Sequence, residues 1–184
     1  MTDKIIARWQ DWSGTGLEHM VLKEEPHGIV AESAIVASVD SEALGVRYRI
    51  QCDSKWRVRK AEIARVGDDR AVELASDGAG NWLDGNGIAQ AQLLGAIDID
   101  ISVTPFTNTL PIRRLQLKQG QSAEILVVYI LLPHLEVLTD RQRYTRLDEG
   151  LYRYESVDSD FTRDIEVDAH GLVTTYPGLF RRAL

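Results

Sequence analysis

Apolar and polar residues alternate along much of this chain, most clearly in the run VRYRIQC from Val46 to Cys52. Every second residue of that run is apolar and the residues between are arginine or glutamine, which is the pattern of a half-buried strand. A turn at Asp53 and Ser54 leads into a second alternating run, so the two predict a β-hairpin. Past Lys60 the apolar positions change parity, which predicts a β-bulge.

Short runs of this kind, separated by Gly, Asp, Asn and Ser, recur through the chain. The nearly unbroken apolar run AEILVVYILL, residues 123–132, predicts a strand buried on both faces. Residues 88–94 are the best local candidate for a helical turn. We therefore predict a predominantly all-β protein: a single curved antiparallel sheet forming a barrel or half-barrel, with at most short helical segments.

Composition narrows the class of protein. With 184 residues, the chain suits one β-rich domain, residues 1–184, and its 44% hydrophobic and 27% charged residues are typical of a globular protein. The net charge of −7 argues against nucleic-acid binding. A single cysteine allows no internal disulfide. No apolar run follows a basic amino end and none is long enough to span a membrane, so we expect a cytoplasmic protein without integral membrane association.

The stretch DIDISVTPFTNTLPIRRL, from Asp98 to Leu115, combines several unusual features. Its first half alternates isoleucine or valine with acidic and hydroxyl residues, which predicts a strand with one polar face. Pro105 ends regular pairing, and the residues from Phe106 to Leu110 are predicted to form a loop that Pro111 closes. An extended or short helical run with two arginines follows.

Three segments together resemble one known family. These are TPFTNTLPIRRL within the central stretch, the earlier Gly80-Asn81-Trp82, and GLVTTYPGLFRR from Gly171 to Arg182. They resemble the bacterial family labelled putative glycolipid-binding, over nearly the whole chain. The resemblance implies a curved antiparallel sheet, similar in shape to lipoprotein-carrier half-barrels, with ligand binding inferred from that shape. It brings no catalytic residues.

The acidic pair of the central strand is the first candidate for chemistry. Asp98 and Asp100 share one strand face, with their carboxylates roughly 7 Å apart, and they suit acid/base catalysis or contact with a sugar or a cation. The structural alternative is pairing with arginines on neighbouring strands, of which residues 47–59 supply four. Arg113 suits recognition of a phosphate or carboxylate, or holds the loop through Asp100.

Polar and aromatic side chains complete the candidate site. Asn108 and Thr104 are ligand-contact candidates, with capping of their own loop backbone as the structural alternative. Trp82 and Tyr144 are candidates to line a sugar- or lipid-accepting cavity, with core packing as the alternative. His134 and Glu136 share a strand face but lack a third ligand, so no metal is predicted. No phosphate-binding loop or nucleophile motif is present, and no cofactor or catalytic residue is predicted.

Three functional hypotheses follow, and the third of them is an interaction module that binds a partner through a sheet edge. The first is non-enzymatic binding of a small amphipathic ligand, a glycolipid or related lipid, in a concave β-sheet pocket. Apolar residues of the concave sheet would hold its tail, and Asp98, Asp100, Asn108 and Arg113 would contact its head. The second is an enzyme acting on a phosphorylated or glycosidic small molecule, with Asp98 or Asp100 as acid/base and Arg113 as anion clamp.

Overall fold

The computed structural model describes residues 4–184, which form one sheet and a few helical turns. The strands, in chain order, are β1 (Lys4–Asp11), β2 (Leu17–Glu25), β3 (Gly28–Val39), β4 (Glu42–Cys52), β5 (Val58–Arg65), β6 (Ala71–Ser76), β7 (Trp82–Asp84), β8 (Asp98–Ile101), β9 (Ser122–Leu131), β10 (Glu136–Asp148), β11 (Leu151–Ser156), β12 (Thr162–Val167), β13 (Val173–Tyr176) and β14 (Phe180–Arg182). The helical segments are two 3₁₀ turns, Ala91–Leu93 and Phe106–Asn108, and one short helix, α1 (Thr109–Leu115). The predicted all-β class with short helical segments is confirmed.

Two antiparallel meanders build the sheet. Strands β1 to β7 pair in succession and form the first meander, and strands β9 to β14 pair in succession and form the second. Strand β14 pairs with β1 and so joins the two meanders. Strand β8, which begins the stretch from Asp98 to Leu115, runs parallel to β9 and forms one edge of the sheet. The strand order therefore runs from β7 at one edge, through the β1 and β14 seam, to β8 at the other.

The sheet curves but does not close into a barrel. Its edge strand β7 has three residues, and Leu83 of that strand forms a bridge with Ala89 in the loop that follows. The free side of β7 is thus occupied by its own connection and does not pair with β8. Of the two predicted shapes, the closed barrel is the one that the structure contradicts.

The hairpin of β4 and β5 contains the predicted bulge. Gln51 pairs with Lys60 whereas its neighbour Cys52 pairs with Val58, so Arg59 is an extra residue in β5. An extra residue shifts the following side chains to the opposite parity. That shift explains why the apolar positions change from even to odd numbers along this strand.

Strand β9 confirms the prediction of a strand buried on both faces. The adjacent residues Val127 and Val128 are both almost fully buried although they point in opposite directions. Val128 packs in a large core cluster with Ile99 and Ile101 of β8, on the concave side of the first meander. The opposite faces of β8 and β9 turn toward the second meander.

The segment after β8 fills the concavity of the first meander. Phe106 and Leu110 are fully buried in the large cluster, and the Phe106 ring stacks on Tyr48 with centroids 6.1 Å apart. These two apolar residues are four apart, which is the spacing of one helical face. The predicted loop from Phe106 to Leu110 is therefore wrong: the segment forms a 3₁₀ turn and the start of α1.

A buried ion pair fixes this segment to β8. The Asp98 side chain is fully buried, and Arg114 of α1 donates to both of its oxygens, at 3.0 Å from Nε to Oδ1 and 2.5 Å from Nη2 to Oδ2. Burial raises the pKa of Asp98, while the Arg114 guanidinium lowers it. The predicted pairing with arginines of residues 47–59 is wrong, because Arg49 pairs with Glu32 and Arg57 with Asp53.

A second buried carboxylate lies inside the first meander. Glu18 of β2 is 3% exposed, and its Oε1 accepts hydrogen bonds of 2.7 Å from both Ser33 and Tyr48. Its Oε2 has no hydrogen-bond partner within residues 4–184. Burial raises the pKa of Glu18 to about 7, from an ordinary value of 4.5.

Replacing Arg114 with leucine is expected to lower the free energy of unfolding by about 3–5 kcal/mol, because the Asp98 carboxylate stays buried without a cation. Urea denaturation measures the loss. The matched control is Arg153→Leu, which breaks a half-exposed pair with Asp164 and should cost about 0–1 kcal/mol. Equal losses in the two variants would contradict a special role for the buried pair.

Glu18→Gln should change how stability depends on pH. The folded protein holds the Glu18 proton up to about pH 7, whereas the unfolded chain releases it near its ordinary value. The free energy of unfolding of the wild-type protein therefore falls as the pH rises from 4.5 to about 7. At about 1.4 kcal/mol per pH unit, the loss is at most about 3 kcal/mol. The variant lacks this loss, so its stability relative to wild type should rise from pH 4.5 to 7.5. A difference independent of pH would disprove the assignment.

Candidate functional site

A cavity of about 360 Å³ opens on the concave side of the second meander. Strands β8 to β11 form one part of its wall, and the turn between β13 and β14 forms another. Small-molecule sites in proteins typically have volumes of about 300–1,000 Å³. The cavity therefore has room for a small ligand or for the head group of a larger one.

The sheet register brings two carboxylates to this cavity. Asp100 of β8 pairs with Tyr129 of β9, and Asp140 of β10 pairs with Val127 of β9. Directly paired residues point to the same face of a sheet, and Val127 and Tyr129 are two apart. Asp100, Asp140 and Tyr129 consequently share one face and all line the cavity.

One glutamine joins the two carboxylates. Gln142 Nε2 donates to Asp100 Oδ2 at 2.7 Å and to Asp140 Oδ2 at 3.2 Å. The Thr107 hydroxyl donates to Asp100 Oδ1 at 2.9 Å. Burial raises the pKa of Asp100 and the charge of Asp140 adds to the rise, whereas hydrogen bonds from Gln142 and Thr107 lower it.

Neither carboxylate has a cationic partner within the described chain. No lysine, arginine or histidine of residues 4–184 lines the cavity, and none forms an ion pair with Asp100 or Asp140. Asp98, two residues before Asp100, is by contrast fully paired with Arg114. The polar side of the cavity thus carries negative charge that only neutral groups contact.

Aromatic rings form the rest of the cavity wall. The Tyr154 ring lies 5.9 Å from Phe161 and 6.2 Å from Tyr176, and the Phe161 and Tyr176 centroids are 6.5 Å apart. Phe180 adds a fourth ring, 6.3 Å from Tyr176. Tyr129 stands on the β9 side of the same cavity. The wall therefore offers broad apolar faces close to the carboxylates.

The phenol hydroxyls of this wall stay protonated. Burial, and then the charge of Asp100, raise the pKa of Tyr129 to about 12 and raise the pKa values of Tyr154 and Tyr176 as well. Tyr154 and Tyr176 are only 6% and 5% exposed, yet within residues 4–184 their hydroxyls form no hydrogen bond. Both hydroxyls are available to a ligand.

Three residues predicted from sequence lie at the cavity: Asp100, Thr104 and Asn108. Thr104 Oγ1 accepts a hydrogen bond of 3.0 Å from the Phe106 backbone, so it also caps its own segment, as the structural alternative held. Asn108 Nδ2 donates to the Tyr144 hydroxyl at 2.8 Å. Tyr144 is buried behind Asn108 and does not line the cavity; it positions a residue that does.

Arg113 lies away from the cavity. Its guanidinium stacks over Trp56 at 4.6 Å from the ring centroid and donates to the His170 carbonyl at 2.9 Å. It also pairs with Glu24 at 3.4 Å. The structure therefore does not bring Arg113 together with Asp100, and the neighbouring Arg114 is engaged with Asp98.

Trp82 is a core residue at the start of β7. It is 2% exposed, and its Nε1 donates to the Ala96 carbonyl at 2.7 Å. Just before it, Gly80 has φ of +99°, and a Cβ there would lie 2.8 Å from the Gly95 backbone. The Gly80-Asn81-Trp82 segment thus ties the edge of the first meander to the connection that leads to β8.

Sequence reasoning missed Asp140. It falls in TDRQR, which resembles a polar turn between two strands, whereas the structure has one continuous strand β10 from Glu136 to Asp148. The signal that was available is parity: Leu138, Asp140, Gln142 and Tyr144 occupy alternate positions.

A larger, open concavity of about 610 Å³ lies on the outward face of β2 to β6. Most of its charged side chains have partners: Glu32 pairs with Arg49, and Lys60 contacts Glu62 at 3.1 Å and Glu73 at 2.8 Å. Charges that are satisfied within the protein leave less for a ligand to recognise. We therefore place the candidate site in the cavity of the second meander.

Within residues 4–184, no three side chains of histidine, cysteine, aspartate or glutamate converge in a way that would hold a metal ion, and His134 with Glu136 gains no third ligand. Among the described helices, none has the length and apolar character needed to cross a membrane.

Comparison with known proteins identifies the family. No curated protein matches the chain. The chain is 42% identical to a protein from Pseudomonas aeruginosa whose crystal structure is described as that of a DUF1089 family protein; the match covers 90% of this chain and 91% of that one, with a TM-score of 0.81. A family model described as "putative glycolipid-binding" matches residues 6–182. The chain belongs to this putative glycolipid-binding family.

Proposed function

We propose that this protein binds a small amphipathic ligand of the glycolipid kind in the cavity of the second meander, without catalysing a reaction. The observation that carries the proposal is the cavity itself, with the carboxylates of Asp100 and Asp140 on one side and a wall of aromatic rings on the other. The family description supports the same class of ligand.

The head group would occupy the polar side of the cavity. Asp100 and Asp140 accept hydrogen bonds from hydroxyl or amine groups, and the free hydroxyls of Tyr154 and Tyr176 donate or accept. Flat rings pack against the apolar face of a sugar. Asn108, held by Tyr144, adds an amide to the same wall.

The tail would leave through the mouth of the cavity. The concave side of the first meander is filled by core residues, including Phe106 and Leu110, so a tail has no room there. At the cavity, Leu179 is 38% exposed, and Phe161 and Phe180 are partly exposed beside it. We propose that an acyl chain lies over these three side chains.

Ser156→Trp tests the proposal because Ser156 lines the cavity and a tryptophan there would fill it. We expect the variant to lose more than about 90% of bound ligand, since a bulky side chain excludes the head group. Native mass spectrometry of protein purified from its own source, followed by lipid extraction, measures the bound species.

The matched control is Thr162→Trp, at an exposed position on β12 that pairs with Glu155 of the outward face. It should retain the ligand found on the wild-type protein. A bound ligand that persists in Ser156→Trp, or a wild-type protein that carries none and takes up no amphiphile, would reject the proposal.

A second candidate function is acid/base catalysis on a glycosidic small molecule. It is favoured by two neighbouring carboxylates in different environments, since burial and the charge of Asp140 raise the pKa of Asp100. The pair differs from that predicted from sequence, because Asp98 is neutralised by Arg114 and Arg113 lies elsewhere.

Hydrolysis of nitrophenyl glycosides tests this second function. If it operates, Asp100→Asn should lower kcat/KM by at least about 100-fold, the contribution typical of a general acid or base. Asp158→Asn, outside the cavity, should leave it unchanged. Absence of any turnover across a panel of glycosides would remove this function.

A further inference from the structure

The charge balance of the cavity carries one inference about the ligand. Asp100 receives hydrogen bonds only from the neutral groups of Gln142 and Thr107, and Asp140 only from Gln142, among residues 4–184. Neutral donors stabilise a carboxylate but leave its charge in place. A ligand that enters this cavity therefore meets the negative charge of Asp140 and the carboxyl group of Asp100, whose pKa is raised by burial and by Asp140. A cation placed beside Asp100 favours its ionised form.

The aromatic wall is suited to a cation as well. Tyr154, Phe161 and Tyr176 have centroids within 6.5 Å of one another, and ring faces attract cations electrostatically. One ring already binds a cation of the protein, since the Arg163 guanidinium lies 4.7 Å from the centroid of Phe161. Arg163 donates to the carbonyls of Thr162 and Pro177 and forms no ion pair with either cavity carboxylate.

Two tyrosines add hydrogen-bonding groups without protein partners to the cavity wall. Tyr154 and Tyr176 are more than nine-tenths buried and line the cavity, but their hydroxyls lack partners within the described chain. Tyr144 packs in one buried cluster with both of these tyrosines, but its hydroxyl accepts a hydrogen bond from Asn108. Because these hydroxyls reach the cavity surface, they are free to form hydrogen bonds with a polar group of a ligand.

Three classes of head group are distinguishable on these grounds. An anionic head is repelled by Asp100 and Asp140. A neutral sugar forms hydrogen bonds to them but leaves the negative charge of the cavity uncompensated. An organic ammonium group compensates charge at the carboxylates and gains cation–π contacts at the rings, and it is the class that uses both sides of the cavity.

We infer that the cavity selects an amphiphile whose head group carries an organic ammonium charge. This inference rests on the proposed function, because it names the ligand class of the same site. Asp100 and Asp140 face the charge, Tyr154 and Tyr176 surround it, and the alkyl part leaves past Leu179 and Phe180.

Titration calorimetry with three probes of equal chain length tests it: octyltrimethylammonium, octyl glucoside and octyl phosphate, each below its micelle concentration. The quaternary probe keeps its charge at every pH. We expect octyltrimethylammonium to bind at least about tenfold more tightly than octyl glucoside, and octyl phosphate to bind most weakly of the three.

Asp140→Asn is the matched variant, because it removes one cavity charge and keeps the shape of the side chain. It should weaken octyltrimethylammonium about fivefold to tenfold and change octyl glucoside by less than about twofold. Asp158→Asn removes the same charge from an exposed acid that pairs with Arg141 outside the cavity, and should affect neither probe. Thermal unfolding followed by circular dichroism checks that both variants fold.

The outcomes separate the two proposals. If octyl glucoside binds as tightly as octyltrimethylammonium, or if Asp140→Asn behaves like Asp158→Asn, the ammonium inference is overturned and ligand binding at the cavity stands. If none of the three probes binds and the protein from its own source carries no ligand, both proposals fail.

Discussion

The buried contact between Asp98 and Arg114 determines how the two halves of this protein fit together. It joins the edge strand β8 to helix α1, and the segment between them carries Phe106 and Leu110 into the core of the first meander. Because the carboxylate is fully buried, its charge is tolerable only while the guanidinium stays in place. The same contact fixes the orientation of β8, and thereby directs Asp100 into the cavity of the second meander.

The segment from Phe106 to Leu115, which follows β8, fills the concave sides of the two meanders to different extents. In the first, it occupies the concave side, so the sheet encloses side chains in the manner of an ordinary core. In the second, α1 packs through Ile112 on only part of the concave side, and a cavity is left beside it. One stretch of chain therefore supplies the core of one half and one wall of the binding site of the other.

Much of the fold follows from local patterns in the sequence. Strict alternation identified β4, and the apolar run marked β9 as buried on both faces. The change of parity past Lys60 predicted a bulge in β5, which the strand register places at Arg59. The helical turn after Pro105 was missed because its apolar residues are few and interspersed with hydroxyls. Such a segment becomes helical through tertiary burial of Phe106 and Leu110, which local propensity does not encode.

The site was less accessible from sequence. Parity places Asp98 and Asp100 on one face, yet nothing local shows that one meets Arg114 and the other a cavity. Asp140 reaches the same cavity through strand register, which depends on pairing between distant residues. The aromatic residues Tyr154 and Tyr176 converge at the cavity because the whole sheet curves, which no local pattern in the sequence shows.

The seam between β1 and β14 has a consequence for how the chain folds. It pairs Trp9 with Arg182, whereas every other antiparallel pairing joins strands that follow one another in the chain. Hairpins form from nearby residues and lose little chain entropy, but the seam must close a loop of nearly the entire chain. We expect the meanders to gain structure early and the seam to form late, so that the rate of seam formation sets the overall folding rate.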